Sequence, residues 1–175
     1  MLPGVFSAVK KDGTPYFRSN ITYQNKHISL GSYKTEQLAH EAYLEASHII
    51  SNHSISLEHA LFHDKVLPFD KIVTLVNFRD NRVYIKTPIK KKKTYFEYFL
   101  SKNKSLKFDI DDLFYYSSHR IQQRGGHLFV SDYGMQYNIL SRYGIKSHGV
   151  PGKDFIFANE DPSDYRYASM IIINS

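Results

Sequence analysis

The sequence predicts an α+β fold, in which an N-terminal three-stranded antiparallel sheet packs on one helix and a second small α+β unit follows. Short β-rich runs separated by turn signals occupy residues 5–30, and a stretch with helical periodicity follows them directly. Runs of both kinds recur after residue 107. A sheet covered on one side by a single amphipathic helix is a stable packing arrangement, and it leaves the other side of the sheet open.

The N-terminal sheet is predicted from three runs of β-type composition. The predicted strands are Val5–Val9, Tyr16–Tyr23 and His27–Leu30. The turn signals that follow them are Asp12-Gly13, Gln24-Asn25-Lys26 and Gly31-Ser32. An Asp-Gly pair between two β-rich runs is a strong hairpin signal, so we expect neighbouring strands to pair antiparallel.

The helix that covers this sheet is predicted to begin after Thr35, whose hydroxyl is suited to the N-cap position. Its apolar residues recur at intervals of three and four, as on one face of a helix. They are Leu38, Ala39, Ala42, Tyr43, Ala46, Ile49 and Ile50. The polar stretch 51–54 is expected to end the helix and the first unit.

Charge distinguishes the sheet from the helix. Residues 1–34 contain a single acid, Asp12, and five cations, which are Lys10, Lys11, Arg18, Lys26 and Lys34. The helical stretch 35–51 contains three acids, Glu36, Glu41 and Glu45, and neither lysine nor arginine. A basic sheet favours an anionic partner such as nucleic acid. The alternative is an ordinary small sheet whose charges are solvated.

Alternation along the second strand sorts its side chains between two faces. Phe17, Ile21 and Tyr23 share one face, and Tyr16, Arg18, Asn20 and Thr22 share the other. Arginine can pair with guanine and asparagine with adenine, and a β-sheet can enter the major groove of DNA. In this part of the chain, the predicted DNA-binding residues are Lys10, Lys11, Tyr16, Arg18, Asn20, Thr22, Lys26, His27 and Lys34.

Four short motifs in this region resemble the ethylene-response-factor (APETALA-type) DNA-binding domain. They are Gly4-Val5, the run YFRSNI at 16–21, the run LGSY at 30–33, and the run AHEAY at 39–43. This domain also occurs in bacterial mobile-element proteins and homing endonucleases. The resemblance implies a three-stranded sheet on one helix, with the sheet binding double-stranded DNA.

Composition limits the class of protein. The net charge is +6, the isoelectric point is near 9.3, and the chain has no cysteine, which excludes disulfides and cysteine-bound zinc. We find no signal-peptide pattern and no apolar run of membrane-spanning length, so we expect a soluble, cytoplasmic protein of a bacterial host cell without a membrane partner. We expect three segments: 1–53, 54–107 and 108–175.

The middle segment is predicted to contain a short helix or irregular packing over residues 55–69, then strand material from Phe69 to Ile89. A lysine run follows, and its members Lys90, Lys91, Lys92 and Lys93 are further candidate DNA-binding residues. The aromatic residues beside it are Tyr95, Phe96, Tyr98 and Phe99. These rings either stack on nucleic-acid bases or belong to the core.

Four histidines, His48, His53, His59 and His63, have spacings that overlap those of metal ligands. His59 and His63 are four residues apart, but no HExxH pattern is present and Ser and Asn separate the two pairs. We therefore predict solvated or packed histidines, no metal site and no cofactor.

The C-terminal segment is predicted to begin with a helix from Ile110 to about Gln123, capped by Asp109. A strand over His127–Ser131 and a helix over Tyr133–Tyr143, ended by Gly144, follow. Two apolar runs, 155–157 and 170–173, flank a turn at 159–164.

The stretch 159–174 resembles the end of an HNH endonuclease, a class that requires a base histidine and a metal held by His and Asp or Asn. Here Phe157 or Ala158 stands at the base position, and Tyr165 and Ser169 replace two asparagines. His119, His127 and His148 have no matching spacing. We therefore predict no catalytic residue and no enzyme activity.

The arrangement along the whole chain resembles small phage and mobile-element proteins, including type II-A anti-CRISPR proteins. That resemblance implies an RNA-guided CRISPR nuclease as a partner, engaged by the eight acids of residues 108–175. Three hypotheses remain: a double-stranded DNA-binding protein of a phage or mobile element that inhibits such a nuclease, a DNA-binding transcriptional regulator, and an HNH-like nuclease.

Overall fold

The computed structural model describes residues 1–145 and 149–173, and the chain divides into two compact units, Met1–Ile85 and Lys86–Ser175. The predicted α+β class and its N-terminal three-stranded antiparallel sheet are confirmed. The division between the units lies at residues 85 and 86, whereas the sequence predicts boundaries at 53 and 107. No helix in the described part of the chain is long and apolar enough to cross a lipid bilayer.

The first sheet has the order β1-β2-β3, and both pairs are antiparallel. Its strands are β1 (Val5–Val9), β2 (Pro15–Tyr23) and β3 (Lys26–Tyr33). The predicted Asp12-Gly13 turn is confirmed, with Gly13 at a φ of 89° and the Asp12 carboxylate accepting the Thr14 N–H at 2.9 Å. Gln24 and Asn25, both at positive φ, join β2 to β3 in a tight turn that suits the twist of the sheet.

The third strand is longer than predicted, because Gly31 and Ser32 do not end it. Ser19 pairs with Gly31 and Asn20 pairs with Ser29, so Leu30 is an extra residue opposite this step of β2. Gly31 adopts a φ of 108°, which a residue with a side chain rarely reaches. This glycine belongs to a β-bulge, and pairing continues beyond it to Phe17 and Tyr33.

Helix α1 (Glu36–Ser51) covers one face of the sheet, as predicted. The Thr35 hydroxyl accepts the Leu38 N–H at 3.1 Å, which confirms the predicted N-cap. The residues that α1 buries are Ala39, Ala42, Ala46 and Ile49. Val5, Ile21, Ile28 and Leu30 are the buried apolar strand residues of the first sheet.

Two further helices complete the first unit, α2 (Leu57–His63) and α3 (Phe69–Asn81). The short helix after residue 55 is confirmed, but the prediction of strand material over Phe69–Ile89 is wrong. The run 72–76 is apolar and mostly β-branched, which fits a buried strand and a buried helix equally well. In the folded unit, residues 72–79 are all buried, because α3 packs against both α1 and α2.

The second unit contains three small antiparallel sheets, ordered β4-β5-β6, β7-β8-β9 and β10-β11. The first consists of Ile89–Lys91, Tyr95–Ser101 and Lys104–Asp109. The second consists of Gln122–Arg124, His127–Asp132 and Met135–Asn138, and the third of Phe155–Phe157 and Met170–Ile172. The last pair confirms the two predicted apolar runs around the 159–164 turn.

An aromatic core supports the first of these sheets. Phe96, Tyr98, Phe108 and Tyr116 are all buried, and the Phe108 and Tyr116 ring centroids are 4.4 Å apart. Phe99 is also buried. Of the two interpretations of the aromatic run, the core interpretation is therefore confirmed for Phe96, Tyr98 and Phe99.

Two predicted C-terminal helices differ from the structure. In place of a helix over residues 110–123, a short 3-10 turn (Ile110–Asp112) leads into α4 (Leu113–Ser118), and β7 follows. The Asp109 carboxylate does not cap α4 but accepts the Tyr167 N–H at 2.6 Å.

The helix predicted over Tyr133–Tyr143 is replaced by β9 and a 3-10 helix (Ile139–Tyr143). Tyr133 and Gly134 both have positive φ and form the hairpin turn between β8 and β9, so an α-helix cannot begin there. The predicted ending at Gly144, which adopts a φ of 76°, is confirmed.

Gly4 is the residue whose substitution tests the packing of α1. A β-carbon at Gly4 would overlap the Tyr43 ring, whereas one at Gly13 would meet nothing within 4 Å, and both glycines have positive φ. We expect Gly4→Ala to lower the free energy of unfolding by about 2 kcal/mol more than Gly13→Ala, because only the former displaces a ring of α1. Urea unfolding of both variants measures this difference, and equal decreases would contradict it.

Asp64, the residue that ends α2, supplies a pH test. Burial raises the pKa of its carboxyl to about 6, and the negative charge of Glu45 adds to the shift. The unfolded chain releases this proton near pH 3.8, so between these values the folded state holds more protons and stability falls as pH rises.

We therefore expect Asp64→Asn to stabilise the protein by about 1–2 kcal/mol near neutral pH and by almost nothing near pH 4, after allowance for the partial exposure of the carboxyl. Thermal unfolding across this pH range measures the effect. Glu41→Gln, on the exposed side of α1, is the matched control. A gain of equal size at both pH values would show that desolvation of Asp64 is not the cause.

Candidate nucleic-acid interface

The face of the first sheet that points away from α1 carries the polar residues expected there. Ser19 and Ile21 are buried on the helix side of β2, while Arg18 and Thr22 are exposed on the other side. The predicted sorting of Tyr16, Arg18, Asn20 and Thr22 to one face is therefore confirmed. We call this side of the sheet the open face.

Arg18 lies at the centre of the open face and is held against Tyr16. Its Nη2 donates to the Tyr16 hydroxyl at 2.8 Å, and its Cζ lies 5.5 Å from the Tyr16 ring centroid. Phe6 of β1 pairs with Arg18 across the strands and is 56% exposed. An oriented guanidinium beside an exposed ring can contact both the polar edge and the methyl group of DNA bases.

Phe6 is absent from the residues that the sequence predicts for this surface. Alternation along β1 places it on a face with Ala8, but only the pairing of β1 with β2 brings that face beside Arg18. Toward the other end of the open face, Thr22 and His27 are also cross-strand partners. The Thr22 hydroxyl lies 2.9 Å from His27 Nδ1, so these two predicted residues are together.

Three predicted lysines surround one groove at the end of the sheet. The groove has a volume of about 760 Å³, and Lys10, Lys11 and Lys34 line it together with Tyr16 and Tyr33. All three lysines are exposed. Burial raises the pKa of Tyr33 to about 12, so its hydroxyl stays neutral and donates to the Leu30 carbonyl at 2.7 Å. Three cations at the rim of this mostly apolar groove can contact a phosphate backbone.

Lys26 does not belong to this groove. It pairs with Tyr23, so it lies on the helix side of the sheet, at the opposite end of β2 from Lys10 and Lys11. The structure therefore separates the predicted lysines of the first unit into three at the groove and one, Lys26, at a different cleft. The sequence does not predict the face on which Lys26 lies, because it assigns this residue to the turn and begins the third strand at His27.

The lysine run of the second unit is divided between a strand and a turn. Lys90 and Lys91 lie in β4, and Lys92 and Lys93 lie exposed in the connection to β5. Lys90 is paired across the strands with Glu97, and Glu97 is paired with Lys107. On the side of this sheet opposite Phe96 and Tyr98, two lysines therefore flank one acid.

One aromatic residue of the run remains accessible beside these charged residues. Tyr95 is half-buried, and both Lys107 Nζ and Arg166 Cζ lie over its ring, at 5.8 Å and 5.1 Å from the centroid. Because the neighbouring rings are in the core, stacking on bases by the whole run is excluded. The lysines act here as a charged surface rather than as part of a stacking platform.

The stretch that resembles an HNH endonuclease is organised by one buried carboxylate. Asp164 accepts hydrogen bonds from Asn159, Arg166 and Ser169. Burial by itself raises the pKa of the Asp164 carboxyl, but these hydrogen bonds, those from Arg166 above all, hold the pKa well below its usual range. These polar groups are engaged with one another and stabilise the turn. His148 and Asn174 lie outside the described residues.

Over residues 1–145 and 149–173, no three His, Cys, Asp or Glu side chains are placed to hold a metal ion together. The rings of His59 and His63 stack on each other, with centroids 4.0 Å apart. His119 Nδ1 lies 2.7 Å from the Tyr115 carbonyl oxygen, and His127 is exposed on β8.

The chain was compared with models of protein families, with curated proteins and with solved structures, and none of the three comparisons found a match. The candidate interface is therefore defined by its geometry and charge.

Proposed function

We propose that the first unit binds double-stranded DNA through the open face of its sheet, as a protein of a phage or mobile element. The observation that carries this proposal is the position of Arg18, oriented by Tyr16 and flanked by Phe6, next to a groove lined by three lysines. Tyr16 belongs both to the open face and to the lining of the groove, so the proposed base-reading and phosphate-binding side chains adjoin at this end of the sheet.

The side chains of this surface differ in the part of DNA that each can contact. The Arg18 guanidinium has the planar donor geometry that matches guanine, and Asn20 on the same face can pair with adenine. Phe6 offers an apolar contact for a thymine methyl group. Lys10, Lys11 and Lys34 carry flexible point charges, which suit phosphate and add no sequence preference.

The charges on α1 favour one orientation of the unit on DNA. The acids Glu36, Glu41 and Glu45 lie on the helix that covers the opposite side of the sheet. A polyanion is repelled from that side and attracted to the lysine side, so encounter is steered toward the open face. Lys92 and Lys93 of the second unit, exposed in the connection from β4 to β5, add a sequence-independent attraction.

The structure gives less support to a nuclease inhibitor that acts through the acids of the second unit. Asp112 pairs with Arg142 at 2.9 Å, Asp164 pairs with Arg166 at 2.7 Å, and Asp109 accepts a backbone N–H. Arg142 and Arg166 thus offset two of the eight acidic charges that a cationic channel would meet. Duplex DNA is therefore the partner we propose.

The first prediction for DNA binding concerns Lys10 and Lys11. Replacing both with alanine should weaken binding to every duplex alike. The salt dependence should also decrease, by about 0.9 in the log–log slope for each phosphate that is no longer neutralised. Fluorescence anisotropy of a labelled duplex over a salt series measures both quantities.

The matched control is the double variant Lys65→Ala/Lys71→Ala, which removes the same charge from the helical side of the same unit. It should leave the slope nearly unchanged. Equal effects of the two double variants would mean that net charge, and not the groove, determines binding. Each duplex is also incubated with Mg²⁺ and with Mn²⁺, since nicking would favour the nuclease hypothesis.

The second prediction for DNA binding concerns Arg18. Arg18→Ala should cost about 1–3 kcal/mol on the preferred duplex and flatten the difference between two unrelated duplexes, because alanine cannot pair bidentately with a base. Arg18→Lys should keep most of the salt slope but abolish the same preference, since an ammonium group is a point charge.

Binding isotherms of the wild type and both Arg18 variants on the two duplexes test this, with circular dichroism as the check of folding. If folded Arg18→Ala binds both duplexes as the wild type does, the open face is not the DNA surface.

A further inference from the structure

The first unit contains a second cleft, located at the turn between β2 and β3 and at the C-terminal end of α3. Its volume is about 690 Å³, within the range of pockets that hold small molecules. It lies at the opposite end of β2 from the lysine groove, and Lys26 is one of the residues that line it. The proposed duplex-binding surface does not use it.

Three aromatic rings form one wall of this cleft. The Tyr23 and Phe78 centroids are 5.1 Å apart in an edge-on arrangement, and the Phe78 and Tyr84 centroids are 5.6 Å apart. Phe78 is only 5% exposed and anchors the wall, while Tyr23 and Tyr84 are half-buried and reach the cleft. Two partly exposed tyrosine rings on a rigid support offer stacking surfaces for a planar group.

The cations of the cleft differ in the hydrogen bonds that they form within the protein. Arg79 is 4% exposed and donates to the carbonyl oxygens of Ile49 and Asn52, at 3.1 Å and 3.0 Å, while Asp80 accepts from its Nε at 2.8 Å. Arg79 is therefore part of the scaffold. Its hydrogen bonds leave little capacity for a ligand.

Arg82 and Lys26 are the cations available to a ligand. Arg82 ends α3 in the left-handed conformation, with a φ of 60°, and both side chains are exposed. Neither side chain forms a hydrogen bond or an ion pair with any residue that the structure describes. The neighbouring Gln24 and His53 side chains, which also line the cleft, are likewise unengaged within the described part of the chain.

A ligand that satisfies this arrangement combines an anion with a planar ring. The anion meets Arg82 and Lys26 through charge-assisted hydrogen bonds, and the ring stacks on Tyr23 or Tyr84. Polar groups such as the Gln24 amide are suited to the donors and acceptors along the edge of a base.

We propose that this cleft binds one nucleoside phosphate, either as a free nucleotide or as an unpaired nucleotide of a single strand. Such binding goes beyond duplex binding and does not depend on it, because the lysine groove and the cleft share no lining residue. The nucleotide chemistry is common to both sources, and the experiment separates them.

The test is calorimetric titration of the full chain with the four deoxynucleoside monophosphates. We expect saturable binding of at least one, with the nucleoside alone and inorganic phosphate alone each weaker by about tenfold or more, because each lacks one of the two interacting groups. Phenyl phosphate is a further probe. Equal affinity for phenyl phosphate would overturn the nucleotide assignment, since any phosphorylated ring would then suffice.

Two variants locate the binding. Arg82→Asn should fold because asparagine tolerates the positive φ of this position. Lys26→Ala should fold because the lysine side chain is exposed on its strand. Each should reduce affinity by about tenfold, and Lys65→Ala, on an exposed position outside the cleft, should not. Unchanged affinity in both folded variants would overturn the proposal.

Backbone amide NMR gives an independent location. Nucleotide should shift the signals of residues 23–26 and 78–84, and shifts confined to other residues, or none at any concentration, would overturn the proposal. A short single-stranded oligonucleotide is titrated in parallel. Tighter binding of the strand, abolished by Arg82→Asn, identifies an unpaired nucleotide as the ligand, and binding of the monomer alone identifies a free nucleotide.

Discussion

The close packing of α1 on the N-terminal sheet is the interaction on which the rest of the first unit depends. Three alanines, Ala39, Ala42 and Ala46, form the buried stripe of the helix, and side chains of this size let the helix approach the strands closely. Gly4 lies directly under the Tyr43 ring, where no side chain fits. Since one face of the sheet is committed to this contact, the other face is free to carry charge, and the acids of α1 are held on the far side.

Local signals in the sequence predict the elements that depend on neighbours along the chain. Thr35 is predictable as an N-cap and Gly144 as a helix end, because each role is set by one residue and its immediate backbone. The wrong predictions concern tertiary context. The run 72–76 is buried on all sides, so its periodicity carries no information, and only its packing against α1 and α2 makes it a helix. Residues 122–138 form a meander because two tight turns at positive φ reverse the chain, and the Tyr133-Gly134 turn resembles a helix start in sequence alone.

The candidate site is predictable in residue type and only partly in arrangement. Alternation predicts the open face of β2 correctly, since a strand of nine residues sorts its own side chains. Phe6, Tyr33 and the grouping of Lys10 with Lys34 require the register between strands, which no single run contains. The sequence assigns Lys26 to the DNA surface because it shows only a charge in a turn. Its pairing with Tyr23 places it instead at the cleft beside Phe78 and Arg82.

Charged side chains that form several hydrogen bonds within the protein stabilise the fold, whereas exposed ones without such bonds can bind a ligand. Glu45 accepts the backbone N–H groups of Lys65, Val66 and Leu67, and Arg79 and Asp164 are likewise surrounded by partners. Removing such a group leaves buried donors or acceptors unsatisfied, so its cost appears in stability. An exposed arginine at a cleft, such as Arg82, stabilises little by itself, since its charge is already solvated. Its position beside Tyr23 and Tyr84 is therefore better explained by recognition of an anion than by folding.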